Sequence, residues 1–169
     1  MSEVRTGLGW DVHRLLPGRP LILGGITVPS DRGLEGHSDA DVLSHAITDA
    51  ILGAAALGDI GMHFPDSDPR WKGANSLVFL RHARGLAAER GFRLVNVDAT
   101  VILERPKLKE YRQAIRDSLA AALELPVDRI SVKFKTAEGV GPVGQERAAE
   151  SQAVVTLLGG AASREPTDF

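Results

Sequence analysis

Residues 37–57 read HSDADVLSHAITDAILGAAAL, and the spacing of their apolar side chains decides how the rest of the chain is laid out. Val42, Leu43, Ala46, Ile47, Ala50, Ile51 and Ala54 recur at i, i+3, i+4 and i+7, the stripe of an amphipathic helix. Ser38, with Asp41 three residues later, makes a capping-box-like start. That start puts His37 and Ser38 at a helix N-terminus, where unpaired N–H groups and the positive end of the dipole favour an anion. His45 falls off the apolar stripe. Asp41 and Asp49 flank it at i−4 and i+4, where either carboxylate can orient the imidazole, although plain solvated helix carboxylates account for each taken singly.

Toward the N-terminus, GWDVH at residues 9–13 lies in an extended stretch, Thr6 to Leu15, with the look of an edge strand. Asp11 and His13 are two apart, so both leave the same face of that strand. Residues 20–28, PLILGGITV, read as a hairpin about Gly24–Gly25, followed by the turn VPSDRGLEG. Toward the C-terminus, residues 58–75, GDIGMHFPDSDPRWKGAN, are too rich in Gly, Pro and Asp for regular structure, which predicts a functional lid. Asn75 caps a second helix running to about Arg90, with Leu77, Leu80, Ala83 and Ala87 inward and Gly91 as its stop.

Residues 92–103 alternate as a strand. After the turn at Pro106, Leu108, Tyr111, Ile115, Leu119 and Ala122 trace a third helix ending near Pro126. ISVKFK at 130–135 is a half-buried strand, and a glycine-rich turn leads to a last strand, AESQAVVTLL. The order β, β-hairpin, α, α, β, α, β, β predicts an α/β fold of the α+β kind. Its mixed sheet, of four-stranded type, is backed by helices on one face and accompanied by a small hairpin. No strand-linked GxGxxG or P-loop supports a doubly wound Rossmann alternative. A single domain is expected over 1–158, with 159–169 a flexible tail.

With 169 residues, a net charge of −2 and a charged fraction of 25%, the chain has no basic footprint for nucleic acid. The absence of cysteine excludes disulfides and thiolate metal sites and points to the cytoplasm. No signal-peptide pattern opens the chain, and no run approaches the roughly 20 apolar residues of a membrane span.

Asp11, His13 and His45 are candidate ligands of one divalent ion. Two imidazoles and a carboxylate with the fourth tetrahedral position open make a catalytic zinc site. Spacing alone leaves open that His13 caps a strand end and His45 is a solvated helix residue. Asp59, Asp66 and Asp68 suit a diol or a hard cation, with turn formation beside Pro65 and Pro69 as the competing account. Thr136 and Glu138 follow a strand into a glycine turn, where a hydroxyl can donate to phosphate and a carboxylate can bind Mg²⁺. Generic turn chemistry competes there too.

Taken together, GWDVHRL, LGGITVP, the stretch from GLEGHSDADVLSHAITDAILG through GDIGMHFPDSDPRWKGANS, NVDATVILERPKL and VKFKTAEGVG resemble the 2-C-methyl-D-erythritol 2,4-cyclodiphosphate synthase family over nearly the whole chain. The resemblance implies a homotrimer with active sites at subunit interfaces. It implies cyclisation of a small-molecule cytidyl diphosphate substrate with loss of CMP, in the non-mevalonate isoprenoid pathway. It also implies Zn²⁺, or another divalent transition metal, on Asp11, His13 and His45, and Mg²⁺ or Mn²⁺ on Glu138 with the substrate diphosphate.

By the same resemblance His37 and Thr136 are catalytic, stabilising the transition state. Asp11, His13, His37 and Ser38 also bind substrate, as do Asp59, Ile60 and Gly61 with the loop Phe64, Pro65, Asp66, Ser67 and Asp68. Leu103, Glu104, Arg105, Pro106, Lys107, Leu108 and Lys109, together with Lys135, Thr136, Ala137 and Glu138, form the cytidine diphosphate pocket. Two positions depart from the family pattern. Lys135 replaces a usual Thr, where it either adds a phosphate contact or points away. Pro142 and Gln145 stand where a Phe and an Arg often hold an isoprenoid diphosphate on the trimer axis. A zinc-dependent phosphohydrolase and a silent metal- or nucleotide-binding trimer are the competing readings.

Overall fold

The computed structural model describes residues 2–159. A long strand β1 (Glu3–Pro17) is followed by β2 (Leu21–Leu23), β3 (Ile26–Val28) and β4 (Arg32–Leu34). Next come helices α1 (Val42–Ala54), α2 (Ile60–His63) and α3 (Leu77–Glu89). The remainder is β5 (Phe92–Ile102), α4 (Arg112–Leu123), β6 (Ile130–Lys135), a short α5 (Gly141–Gly144) and β7 (Ala148–Gly159). Five strands form one sheet in the order β4-β1-β7-β5-β6, and β2-β3 stand apart as the hairpin. Only β5 and β6 run parallel, joined through α4, so the sheet is mixed.

Several sequence expectations are corrected here. The sheet has five strands because the segment read as the turn VPSDRGLEG contains β4, three residues paired with Leu15–Pro17. Along Glu3–Arg14, β1 pairs with β7 alone, as an edge strand does. The stretch 58–75 holds the four-residue α2 and a 3₁₀ turn at Pro69–Trp71. Of the segment expected as a tail, Gly159 is the last residue of β7, and 160–169 lie outside the described residues.

Helix α1 lies against β1, β7 and α3, and that surrounding encloses all of it but two residues, Asp49 and Gly53. It is therefore not the one-sided helix its apolar stripe suggested: His45 is only 9% exposed, and Ser44 and Thr48 are fully buried. Its cap is Asp41, not Ser38. The Asp41 carboxylate accepts from Ser44 N at 3.0 Å and Ser44 Oγ at 2.8 Å, and also from Gly24 N at 2.9 Å and Gly25 N at 2.7 Å. One buried side chain thus satisfies two N–H groups at the hairpin tip and one at the start of the helix. The tip has φ +58° at Gly24 and +77° at Gly25, the left-handed pair that a two-residue type I′ turn requires.

The helices cover one face of the sheet. On the other face β1 and β7 expose Val4, Leu8, Trp10, Val12 and Val154.

Candidate functional site: a metal centre and a second cavity

The odd-numbered side chains of β1 point at α1. Gly7 and Gly9 belong to that row, and their missing side chains let the helix backbone rest on the strand; Asp11 and His13 follow them. The close approach carries His45 to them. His13 Nε2 lies 2.9 Å and His45 Nδ1 3.0 Å from the same Asp11 oxygen, and the two nitrogens are 3.1 Å apart. Tetrahedral ligands bound at about 2.0 Å sit about 3.3 Å from one another, so the three atoms suit one small divalent cation with little movement.

The electrostatics agree with that donor set. Burial pushes the Asp11 pKa up, but hydrogen bonds from His13 and His45 and their positive charge outweigh it, leaving the group at about 2. Burial likewise lowers His13, and the Asp11 carboxylate more than offsets this, so its pKa rises above the usual 6.5. On its far side His13 Nδ1 donates to the Glu35 carbonyl oxygen at 2.6 Å. A carbonyl can only accept, so Nδ1 carries the proton and Nε2 is the atom left to ligate a metal.

Asp41 and Asp49, the two carboxylates set to orient His45, do other work. Asp41 caps α1, and Asp49 accepts from Ile60 N at 2.7 Å. The His45 Nε2 partners are Ser76 Oγ at 2.8 Å and Ser38 Oγ at 3.1 Å.

A cavity of about 390 Å³ opens beside the three ligands. Of the expected substrate residues, His37, Ser38, Ile60, Gly61, Phe64, Pro65 and Asp66 line it along with Asp11 and His13. Asp59, Ser67 and Asp68 do not. Asp59 caps α2 by accepting from Met62 N at 3.0 Å, Ser67 is exposed, and Asp68 caps the 3₁₀ turn and grips Arg70 at 2.5 Å. His37 and Ser38 lie in the loop ahead of α1 and not at its N-terminus, because the helix begins after Asp41. His37 Nε2 donates to the Asp68 carbonyl at 3.2 Å, which ties the cavity wall to the 58–75 loop. Trp71 and Phe79, given no site role by the sequence reading, complete the wall; both rings pack on Phe64, with centroids 5.1 and 4.3 Å away.

A second cavity, about 310 Å³, is lined by Leu103, Pro106, Lys107, Leu108, Lys109, Lys135 and Thr136 from the expected cytidyl pocket. Lys135, the departure from the family pattern, stands on its wall. Arg112, which carried no sequence signal, joins the wall with its guanidinium 5.2 Å from the Phe134 ring centroid. Four expected residues stand around this cavity without lining it. Glu104 accepts from Ala137 N at 3.1 Å, Arg105 lies 3.4 Å from Glu146, and Glu138 meets the Thr136 hydroxyl. Among the described residues none lines both cavities.

Comparison with known proteins gives this geometry a family. The YgbB family model matches residues 4–158. The 2-C-methyl-D-erythritol 2,4-cyclodiphosphate synthase of Solibacter usitatus (strain Ellin6076) is 78% identical over 157 residues, covering 93% of this chain and 99% of that protein. A solved 2C-methyl-D-erythritol-2,4-cyclodiphosphate synthase in a CDP-bound form superposes with TM-score 0.84 at 48% identity, covering 90% of this chain and 99% of the other. The bifunctional IspDF of Campylobacter jejuni superposes with TM-score 0.91 at 43% identity, over 95% of this chain and 43% of its own. Matched over residues 4–158 by that family model, and over nine-tenths of its length by relatives of this one name, the chain belongs to the YgbB family of 2-C-methyl-D-erythritol 2,4-cyclodiphosphate synthases.

Proposed function

We propose that the chain cyclises 4-diphosphocytidyl-2-C-methyl-D-erythritol 2-phosphate to 2-C-methyl-D-erythritol 2,4-cyclodiphosphate with release of CMP, a phosphorus–oxygen lyase step of isoprenoid synthesis by the non-mevalonate route. The observation that carries this reading is the convergence of Asp11, His13 and His45 on one point at the wall of the larger cavity. The chief obstacle is mutual repulsion of two phosphates, roughly 4 kcal/mol for unit charges 4 Å apart at an effective dielectric near 20. Asp11, His13 and His45 would hold Zn²⁺ or a similar ion, and Glu138 Mg²⁺ or Mn²⁺, whose positive charge would offset it.

The protein's own share is positioning. His37, Ser38, Ile60, Gly61 and the Phe64–Asp66 loop hold the methylerythritol phosphate. The cavity around Lys107, Lys109, Lys135 and Thr136 holds the cytidyl diphosphate. His37 and Thr136, proposed to stabilise the same phosphoryl transition state, line different cavities, and this favours a site completed by a neighbouring subunit. The exposed apolar side chains of β1 and β7 offer a face for a homotrimer. No helix among the described residues is long and apolar enough to cross a membrane, and a cysteine-free chain suits the cytoplasm.

Incubation of purified protein with the cytidyl substrate, zinc and Mg²⁺ tests the proposal. CMP with the cyclic diphosphate supports it, CMP with the acyclic methylerythritol 2,4-bisphosphate indicates a metal-dependent hydrolase, and nucleotide binding without turnover indicates a silent binding protein.

A further inference from the structure

Ser76 occupies the N-cap position of α3, yet its side chain makes no cap hydrogen bond there. The adjacent Asn75 Oδ1 accepts from Leu77 N at 2.9 Å instead. A serine at an N-cap ordinarily spends its oxygen on the N2 or N3 amide. Ser76, fully buried, turns its hydroxyl between the Asp39 carboxylate and His45 Nε2, which is 2.8 Å away. Asp39 is fixed for this contact, since its other oxygen accepts from Ser76 N at 3.0 Å.

The direction of the protons follows from donor and acceptor chemistry. An ionised carboxylate can only accept, so the Ser76 O–H points at Asp39. The lone pairs of Ser76 Oγ are then free to accept from the imidazole, and Nε2 must be the nitrogen that carries hydrogen. Nδ1, which hydrogen-bonds Asp11 Oδ2 at 3.0 Å, is then the nitrogen whose hydrogen a metal would replace, turning its lone pair to the ion.

We infer that Asp39 and Ser76 are positioning residues that fix the tautomer and ring orientation of His45 and thereby raise metal affinity. This rests on the metal-centre reading above. Such outer partners of a ligating histidine typically change metal affinity 10–100-fold.

The test uses the full chain and Zn²⁺ alone, with affinity read by chelator competition and Co²⁺ absorption reporting the ligand field. Ser76→Ala is expected to lower zinc affinity at least tenfold and alter the Co²⁺ bands. Asp39→Asn, which keeps an acceptor oxygen but not the charge, is expected to lower affinity severalfold. Wild-type affinity in both variants overturns the inference; if Ser76→Ala does not fold, Asp39→Asn alone decides. His45→Ala separates the two readings. Loss of zinc there with retention in the other variants sinks only the relay, whereas zinc bound as tightly in His45→Ala as in wild type sinks the metal centre itself.

Discussion

A β-carbon added to Gly9 would lie 1.9 Å from the Ala46 carbonyl oxygen, so β1 and α1 touch backbone to backbone one residue after His45. Gly7 stands in the same relation to Ala50, at 2.0 Å. The reach of His45 to Asp11 and His13 depends on this contact. Gly9→Ala must push strand and helix apart, and overpacking of this kind costs about 1–3 kcal/mol. We expect a melting temperature several degrees lower and weaker zinc binding, measured by calorimetry and chelator competition. Unchanged zinc affinity would show that the close contact is not what sets the ligand geometry.

Gly53 provides the opposite case. It lies in α1, exposed, with nothing within 4 Å of an added β-carbon. Gly53→Ala should stabilise the chain by up to about 1 kcal/mol through helix propensity alone. Thermal unfolding checks the sign.

Asp41 is wholly buried and accepts four hydrogen bonds from three residues. Asp41→Asn keeps one acceptor oxygen and turns an N–H₂ group on a backbone N–H. Leaving buried donors unsatisfied costs about 1–3 kcal/mol each, so chemical denaturation should show a loss of several kcal/mol. A loss below about 1 kcal/mol would mean that water replaces the missing contacts.

Zinc removal should lower the melting temperature of the wild type. At free zinc 100-fold above its dissociation constant the ion adds about 2.7 kcal/mol of stability. His45→Ala should abolish that increment together with turnover. A variant that still melts higher with zinc would carry the ion elsewhere.

The separation of the two cavities can be read by mixing. His45→Ala and Thr136→Ala chains, each inactive alone, should recover activity when unfolded and refolded together, since a neighbouring pair can supply one intact half each. Random trimers would restore roughly a quarter of the interfaces. No recovery from mixtures shown to contain mixed trimers would place both halves of the site within one chain.

Much of this was legible in the chain itself. Alternation along residues 9–13 put Asp11 and His13 on one face, and the apolar spacing of residues 42–54 located α1. What periodicity does not report is what packs on the remaining sides of a helix. The stripe therefore left His45 in solvent, while β1, β7 and α3 together bury it. Ser38 and Asp41 are both good cap residues, and sequence cannot choose between them. The fold does, because the Ser38 hydroxyl sits 3.1 Å from His45 Nε2 while Asp41 is placed to meet the hairpin amides as well. Ser76 and Asp39 lie 37 positions apart and share no pattern, so only tertiary structure brings them together. β4 escaped because its three residues, which follow the turn formers Pro29, Ser30 and Asp31, are too few to show alternation.

The enclosure of α1 also bears on motion. Backbone amides on the enclosed faces of this helix, all but Asp49 and Gly53, exchange with solvent only through large-scale opening, whereas those of the 58–75 loop, held by the Phe64, Trp71 and Phe79 rings and a few polar ties, can exchange through local excursions. Deuterium labelling should therefore separate a slow layer carrying His45 from a fast layer carrying Phe64 to Asp68. The ion would remain seated while the cover above it lifts to let product leave, so that turnover and cofactor loss proceed on different clocks.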